Sequence, residues 1–368
     1  LLPSISQAQA LKITLERANL ACNQISEVAW NKKLFQKARL QKYVYSRVRE
    51  KFDLGAQMVV RCVSKVVDAY KLNKKVQRTF KKHGSIAYDS RILTYFTKRK
   101  EVSIWILGLG RTKIPYVCGK RQERFLTVQQ GESDLVYYKG EWFLNTTCNL
   151  EEPEQFKPED VLGVDLGVTN IAVTSDGKRV SSKMVEDTRI WYQERRNKLQ
   201  AVGTKSSKRR LKQLSGRQAR FQKDVNHRIS KELVLEAKRT KRAIALEDLT
   251  DIRSRTRVRG SQNRAKHSNW SFWQLRSFIS YKAKGLGVPV ILIDPAYTSQ
   301  RCNVCGHTEK ANRKSQSEFK CCACHHEVHA DISGARNIRT KAQGVWSTAP
   351  RSRTARFRDK PLALAGGS

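Results

Sequence analysis

Acidic residues are scarce in this sequence. Only 33 of its 368 residues are Asp or Glu, against 72 Lys and Arg, so the formal net charge is +39 and the pI is near 10.2. Such a field attracts polyanions, because each phosphate neutralised by Lys or Arg releases counterions and drives association. Nucleic acid is the first partner to consider, ahead of a membrane surface or an acidic protein. The chain also lacks any apolar run of transmembrane length, and its first residues lack the charged-then-apolar pattern of a secretion signal. A soluble, intracellular protein is therefore expected. A hydrophobic fraction of 39% is enough for real cores in two or three domains, which sets the chain apart from a basic disordered tail.

Cysteine is thin over most of the chain. Cys22, Cys62, Cys118 and Cys148 stand alone, whereas Cys302, Cys305, Cys321, Cys322 and Cys324 crowd into one segment, C-N-V-C-G-H…F-K-C-C-A-C. Two C-x-x-C knuckles at this separation have the spacing of a four-thiolate zinc ribbon, and the missing secretion signal argues against disulfides. The expected ligands are Cys302, Cys305, Cys321 and Cys324, with Cys322 out of register and His325, His326 and His329 ranked below the thiols. A closed four-ligand site leaves no open position for catalysis, so the zinc would be structural.

Along the chain, residues 5–82 carry helical periodicity, with Leu11, Leu15, Ala18, Ala21, Ile25 and Val28 on one face and later Val44, Val48, Phe52, Val59, Cys62, Val63, Val66 and Tyr70. Asp53 is read as the N-cap of the third helix. The opposite faces collect Arg47, Arg49, Lys51, Arg61, Lys65, Lys71, Lys74, Lys75 and Arg78, a one-signed surface suited to phosphate. From 84 to 150 the pattern becomes short alternating strands with a hairpin turn at Lys139-Gly140, which suggests a small antiparallel barrel. Its aromatics Trp105, Tyr116, Tyr137, Tyr138, Trp142 and Phe143 serve either packing or base stacking.

After a polar linker, V-L-G-V-D-L-G-V-T-N-I-A-V sets Asp165 inside an aliphatic run, where an unpaired charge would be costly. Read alone, Asp165 is either a cap beside a Gly turn or a metal ligand. Two more strands follow, the third around 179–185, and then a long basic helical insertion over 188–239. The strand A-I-A-L-E-D-L ends at Glu247; next come a helix with Trp270, Phe272, Trp273, Leu275 and Phe278 on its aromatic face, the strand V-P-V-I-L-I-D, the cysteine segment, and a helix opened by Asp331. Asp294, at the end of the last strand, is read as a cap. The order β-β-β, helix, β, helix, β, helix is that of an RNase H-like sheet, in which carboxylates from three elements converge and hold two divalent ions about 3.5 to 4 Å apart for phosphodiester hydrolysis. Asp165, Glu247 and Asp331 are the candidates.

The strings G-V-D-L-G-V-T-N, A-L-E-D-L, Y-T-S-Q-R-C-N-V-C-G and C-C-A-C followed by A-D-I-S-G-A-R-N-I together resemble TnpB, the insertion-sequence-encoded relative of type V CRISPR effectors, and L-E-R-A-N-L-A-C-N-Q-I-S and K-F-D-L-G-A-Q-M look like that family's helical N-terminal region. The resemblance implies an α/β multidomain protein: a helical recognition region over 1–83, a wedge-type β-barrel over 84–155, and a RuvC-like nuclease domain over 156–296 with the insertion 188–239. The zinc ribbon would occupy 297–328, the last RuvC-like helix 329–345, and a basic tail 346–368. It further implies an RNA-guided DNA endonuclease that cuts beside a short motif. The partners would be a guide RNA and a double-stranded DNA target, with one chain per RNA, in the cytoplasm of a prokaryotic cell. Residue by residue, Asp165, Glu247 and Asp331 match the family's carboxylates, which would hold two Mg²⁺ or Mn²⁺ ions, and Cys302, Cys305, Cys321 and Cys324 match its ribbon.

The departures are Ser333 and Gly334, where the family's Asp-x-Asn-Ala-Ala motif has Asn and Ala; His325, where a Gly usually closes the second knuckle; and a start at Leu1 that leaves little room for a first wedge strand. The first of these implies altered support for Asp331 and weaker metal affinity. Two other readings stay open: a nuclease-silent guided repressor, which the three retained carboxylates argue against, and a guide-independent transposase or resolvase, which the widely spread positive charge argues against.

Overall fold

The computed structural model describes residues 1–248 and 272–348. Trp270 of the expected aromatic face and the tail beyond 348 lie outside the described residues. The chain divides into two compact units, Leu1–Glu151 and Glu152–Ser368.

In the first unit, three helices run in succession: α1 (Ile5–Lys32), α2 (Lys37–Phe52) and α3 (Ala56–Leu72). A capping box starts α1, where Ser4 and Gln7 satisfy each other's backbone N–H groups. Its buried stripe is the periodic one, Leu11, Leu15, Ala18, Cys22, Ile25 and Ala29. Asp53 is not the N-cap of α3. Gly55 holds that position, and Asp53 instead closes α2 at a φ of 52°, a left-handed conformation that short polar side chains tolerate.

Arg61 and Lys65, assigned above to the phosphate-facing surface, turn inward. Arg61 is buried and pairs with Glu132. Lys65 donates to Asn19 Oδ1 and to the Ser85 carbonyl, both at 2.7 Å. Helical charge periodicity does not reveal which cations meet a neighbouring acid.

The strands of this unit form two three-stranded antiparallel sheets with no ladder between them. One joins β2 (Leu93–Phe96), β3 (Glu101–Ile106) and β4 (Gly110–Pro115); the other joins β1 (Ile86–Tyr88) to β5 (Gln129–Tyr138) and β6 (Glu141–Cys148), with the short helix α4 (Lys120–Leu126) between β4 and β5. The hairpin at Lys139-Gly140 is present, with φ of 53° and 91°, the double left-handed turn that matches strand twist. Helices and both sheets share one apolar cluster. Trp142 and Tyr116 belong to it, while Tyr138 and Phe143 stay exposed.

The second unit is built on a five-stranded sheet ordered β11-β10-β7-β8-β9, namely β7 (Asp160–Asp165), β8 (Asn170–Thr174), β9 (Arg179–Ser181), β10 (Arg242–Glu247) and β11 (Val290–Ile293). The first three strands are antiparallel neighbours, and β10 runs parallel to both β7 and β11. The third strand is shorter than expected, because a helix begins at Lys183.

Helices α5 (Lys183–Val202), α6 (Lys205–Leu214) and α7 (Arg217–Arg239) follow. The expected insertion is not uniform. Val225, Ile229, Leu233, Val234 and Ala237 of α7 are buried in the sheet's core, whereas α5 buries no residue and α6 buries only Ser207. The apolar spacing of α7 makes it a core helix, whereas α5 reaches the same core through half-buried Val185.

The two faces of the sheet are separated by the period of two. Leu162, Val164, Ile244 and Leu246 pack with α7 and α8 (Phe272–Lys284). Val161, Ala243, Ala245 and Ile293 pack with Ile338 and Ala342 of α9 (Ala330–Thr348). Gly163 lies on this second face. A Cβ there would fall 2.1 Å from the Ala335 carbonyl, so only glycine lets α9 cross β7 this closely. Asp160 then grips the helix through Arg339 and Gln343.

Candidate active site and four-thiol cluster

Alternation decides where the carboxylates point. Asp165 shares the parity of Val161 and Gly163, and Glu247 that of Ala243 and Ala245, so both lie on the face covered by α9. They end adjacent parallel strands, since Leu246 is in register with Val164 one step earlier. Asp331 enters from the first turn of α9 itself. The structure thus brings all three expected residues to one edge of the sheet.

Burial, followed by the charges of Glu247 and Asp331, pushes the Asp165 carboxyl up to about 7 against the opposing charge of Arg313. Burial also raises Glu247; a hydrogen bond from Thr298 and the charge of Lys341 counter the rise, and Asp294 adds to it. Asp294 caps the following turn, its Oδ1 accepting from the Ala296 N–H at 3.1 Å.

The sequence had singled out none of the groups that hold the acids. Asn170 donates from Nδ2 to Asp331 Oδ2 at 2.8 Å. The Arg313 guanidinium lies 3.6 Å from Asp331 Oδ1. Thr298 donates to Glu247 Oε1, and Asn337, itself buried, donates to the carbonyls of Thr298 and Arg301 at 2.9 and 2.6 Å. Asn170 was legible as part of G-V-D-L-G-V-T-N; Arg313 carries no local signal at all.

The departure at Gly334 has a local meaning. A Cβ there would stand 3.1 Å from Asp165 Oδ2, so the bare backbone lets that carboxylate lie against the helix. Ser333 is buried, its hydroxyl donating to Asn303 at 3.3 Å.

Among the described residues, the four cysteines Cys302, Cys305, Cys321 and Cys324 bring their ligand atoms within 4.8 Å of one another. The three carboxylates converge without closing to that spacing, as expected of like charges. Cys302 and Cys324 sulfurs are 3.7 Å apart, and Cys305 and Cys321 sulfurs 3.5 Å. A tetrahedral ion with bonds near 2.3 Å sets its ligands ~3.8 Å apart, so the quartet fits zinc.

The two knuckles fold alike. The Gly306 N–H donates to the Cys302 carbonyl and the His325 N–H to that of Cys321, and both residues have positive φ, 78° and 59°. His325 therefore adopts the conformation that glycine supplies in the first knuckle, at a backbone cost. Buried Asn312 ties the knuckles together, donating to the Gln300 and His307 carbonyls and accepting from the Cys322 N–H. Cys322 is exposed and outside the quartet, as its spacing implied. Backbone N–H groups of Cys324 and Ala323 hold the Cys321 thiol down at about 6, a state ready to bind metal.

An α/β sheet with convergent carboxylates beside a four-thiol cluster suits a divalent-metal nuclease. Residues 144–251 match the family described as a probable transposase, OrfB_IS605, and residues 272–338 match the family described as a Cas12f1-like TNB domain. The CRISPR-associated endodeoxyribonuclease Cas12f1 of Sulfoacidibacillus thermotolerans is 34% identical over 300 residues, 74% of this chain and 67% of its own length. The putative RNA-guided DNA endonuclease InsQ of Escherichia coli is 28% identical over 225 residues, 56% of this chain and 55% of its own length. The TnpB-like protein MJ0751 of Methanocaldococcus jannaschii is 30% identical over 206 residues, 53% of this chain and 73% of its own. The chain belongs to this family of TnpB-like and Cas12f1 proteins. Among the described residues, no helix is long and apolar enough to cross a membrane.

Proposed function

We propose that this chain is an RNA-guided, divalent-metal-dependent DNA endonuclease whose cleavage centre is Asp165, Glu247 and Asp331. The observation that carries this reading is the shared face: strand parity and helix placement gather three acids where burial and mutual repulsion hold Asp165 up at about 7. The sheet order, with β8 and β9 antiparallel and α9 across the centre, supports assignment as an RNase H-like (RuvC) domain. The residues 84–155 are read as the wedge.

The donor set suits Mg²⁺ or Mn²⁺. Carboxylate oxygens are the preferred ligands of these hard ions, and a cation would relieve the repulsion among the three acids. Two such ions, when bound, supply an activated water and a charge on the leaving oxygen. Asp165, Glu247 and Asp331 would hold them. Thr298 donates to Glu247 and Asn170 to Asp331, and Arg313 turns a fixed positive charge toward the edge where a phosphate would lie. Cys302, Cys305, Cys321 and Cys324 would hold one zinc ion that fastens the loop between β11 and α9.

The partners on this reading are a guide RNA and double-stranded DNA, with one chain per RNA. Relatives bearing the name RNA-guided DNA endonuclease support it, as does the +39 charge. The test is Asp165→Ala. Plasmid cleavage with guide and matched target should fall by orders of magnitude, while filter binding of the same target in EDTA changes little, because the contacts that hold the strands are made by Lys and Arg elsewhere. Glu247→Ala and Asp331→Ala should lose activity to the same degree, and the losses should not add. Full cutting by Asp165→Ala sinks the assignment; target binding without cutting by the unaltered chain would instead favour the silent repressor.

A further inference from the structure

Asn170 opens β8 at the end of a turn that is tied down on every side. The Gly167 N–H donates to the Asn170 carbonyl at 3.0 Å, and a Cβ on Gly167 would strike that same oxygen at 2.9 Å. Ser182 donates twice to the Thr169 carbonyl, from its N–H at 3.0 Å and its hydroxyl at 2.8 Å. Gln316, from the cysteine-bearing segment, donates to Thr169 Oγ1 at 2.6 Å. The turn is thus locked to β9's end, to its own glycine and to the ribbon. Its one side chain directed at the acids is the Asn170 carboxamide, 2.8 Å from Asp331 Oδ2.

We propose that Asn170 is a positioning residue that fixes the Asp331 carboxylate for metal binding. The inference rests on the metal site proposed above. Asp331 sits in the first turn of α9 with Arg313 on its Oδ1 side and Asn170 on its Oδ2 side, so its two oxygens are told apart by different donors. An amide suits this task. It donates one directional hydrogen bond and carries no charge, so it selects a rotamer without competing with a cation for the carboxylate. Hydrogen bonds of this kind to ligating carboxylates typically matter 10- to 100-fold in metal affinity.

The experiment must separate positioning from folding and from activity alone. In the full chain with its RNA, Fe²⁺ with ascorbate and peroxide should cut the backbone beside 165 and 331, and the Fe²⁺ concentration for half-maximal scission reports occupancy locally. Asn170→Ala should raise that concentration about 10- to 100-fold, with target binding and melting in EDTA unchanged. Asn170→Ser, polar but too short to reach Asp331, should behave alike. In cleavage assays the loss should recover largely at high Mn²⁺. In an Asp331→Asn background, adding Asn170→Ala should have no further effect on scission, because Asn170 acts through Asp331.

An unchanged half-maximal concentration in Asn170→Ala overturns the proposal, and so does an equal loss in the Asp331→Asn background. If Asp331→Asn itself leaves scission intact, the carboxylate site is wrong and Asn170 falls with it. A loss confined to Asp331→Asn overturns only Asn170.

Discussion

Asp165 titrates differently in the folded and unfolded chain, and the direction sets a pH dependence. Its folded value of about 7 lies above the ~3.9 of an unfolded Asp, so the folded state binds the extra proton between those two values. Acidification from pH 7 toward 4 therefore adds stability from this group, and raising pH through 7 removes it. Melting in EDTA should show it: the advantage of Asp165→Asn over the parent should grow from pH 5 to 8. A flat difference would mean that Asp165 is not buried beside the other acids as placed. Metal binding should tighten over the same rise in pH, since the ligand must lose its proton. Asp294 provides the contrast. It caps a turn and touches Glu247 only through space, so Asp294→Asn should keep most cleavage activity.

At the scale of elements, the crossing of α9 over β7 is the most demanding contact around the site. Gly163→Ala would drive a methyl into the Ala335 carbonyl and the Arg339 N–H, so helix and strand must part. A loss of roughly 1–3 kcal/mol or more is expected from denaturant melts, with cleavage falling because Asp331 moves with its helix. Wild-type stability in that variant would show that the helix does not approach as described. The ribbon is the second such element. Cys305→Ser should lower zinc from about one ion per chain and destabilise the segment between β11 and α9, because metal binding is folding energy for so small a unit. An unchanged melting profile in a protein containing no zinc would refute the ribbon reading.

For the whole molecule, charge is the governing quantity. Although Arg61 and Lys65 turn inward, α2 and α6 keep most of their Lys and Arg exposed, and the chain carries +39 overall. The purified protein should hold a structured RNA, and its affinity for nucleic acid should fall steeply and linearly in a log–log plot against salt. Protein that leaves heparin free of nucleic acid and still cuts matched DNA would exclude guidance. Sequencing the retained RNA identifies the guide.

Local patterns carried most of the sequence reading. Thiol spacing named the four cysteines that cluster and excluded Cys322; apolar periodicity gave α1 and α3; an acid set into an aliphatic run marked Asp165. These signals survive in sequence because they repeat at fixed short intervals. Tertiary structure alone decided the rest. The strands expected to close a barrel form two sheets, because β1 pairs with the distant β5; α7 buries a full apolar stripe in the core, while α5 and α6 bury only Ser207. Arg61 is a buried ion-pair partner because Glu132 lies far along the chain, and Asn170, Thr298 and Arg313 meet the carboxylates from separate elements. Contacts between residues tens to more than a hundred positions apart leave no periodic trace, so the sequence determined the acids and thiols, and folding determined which groups orient them.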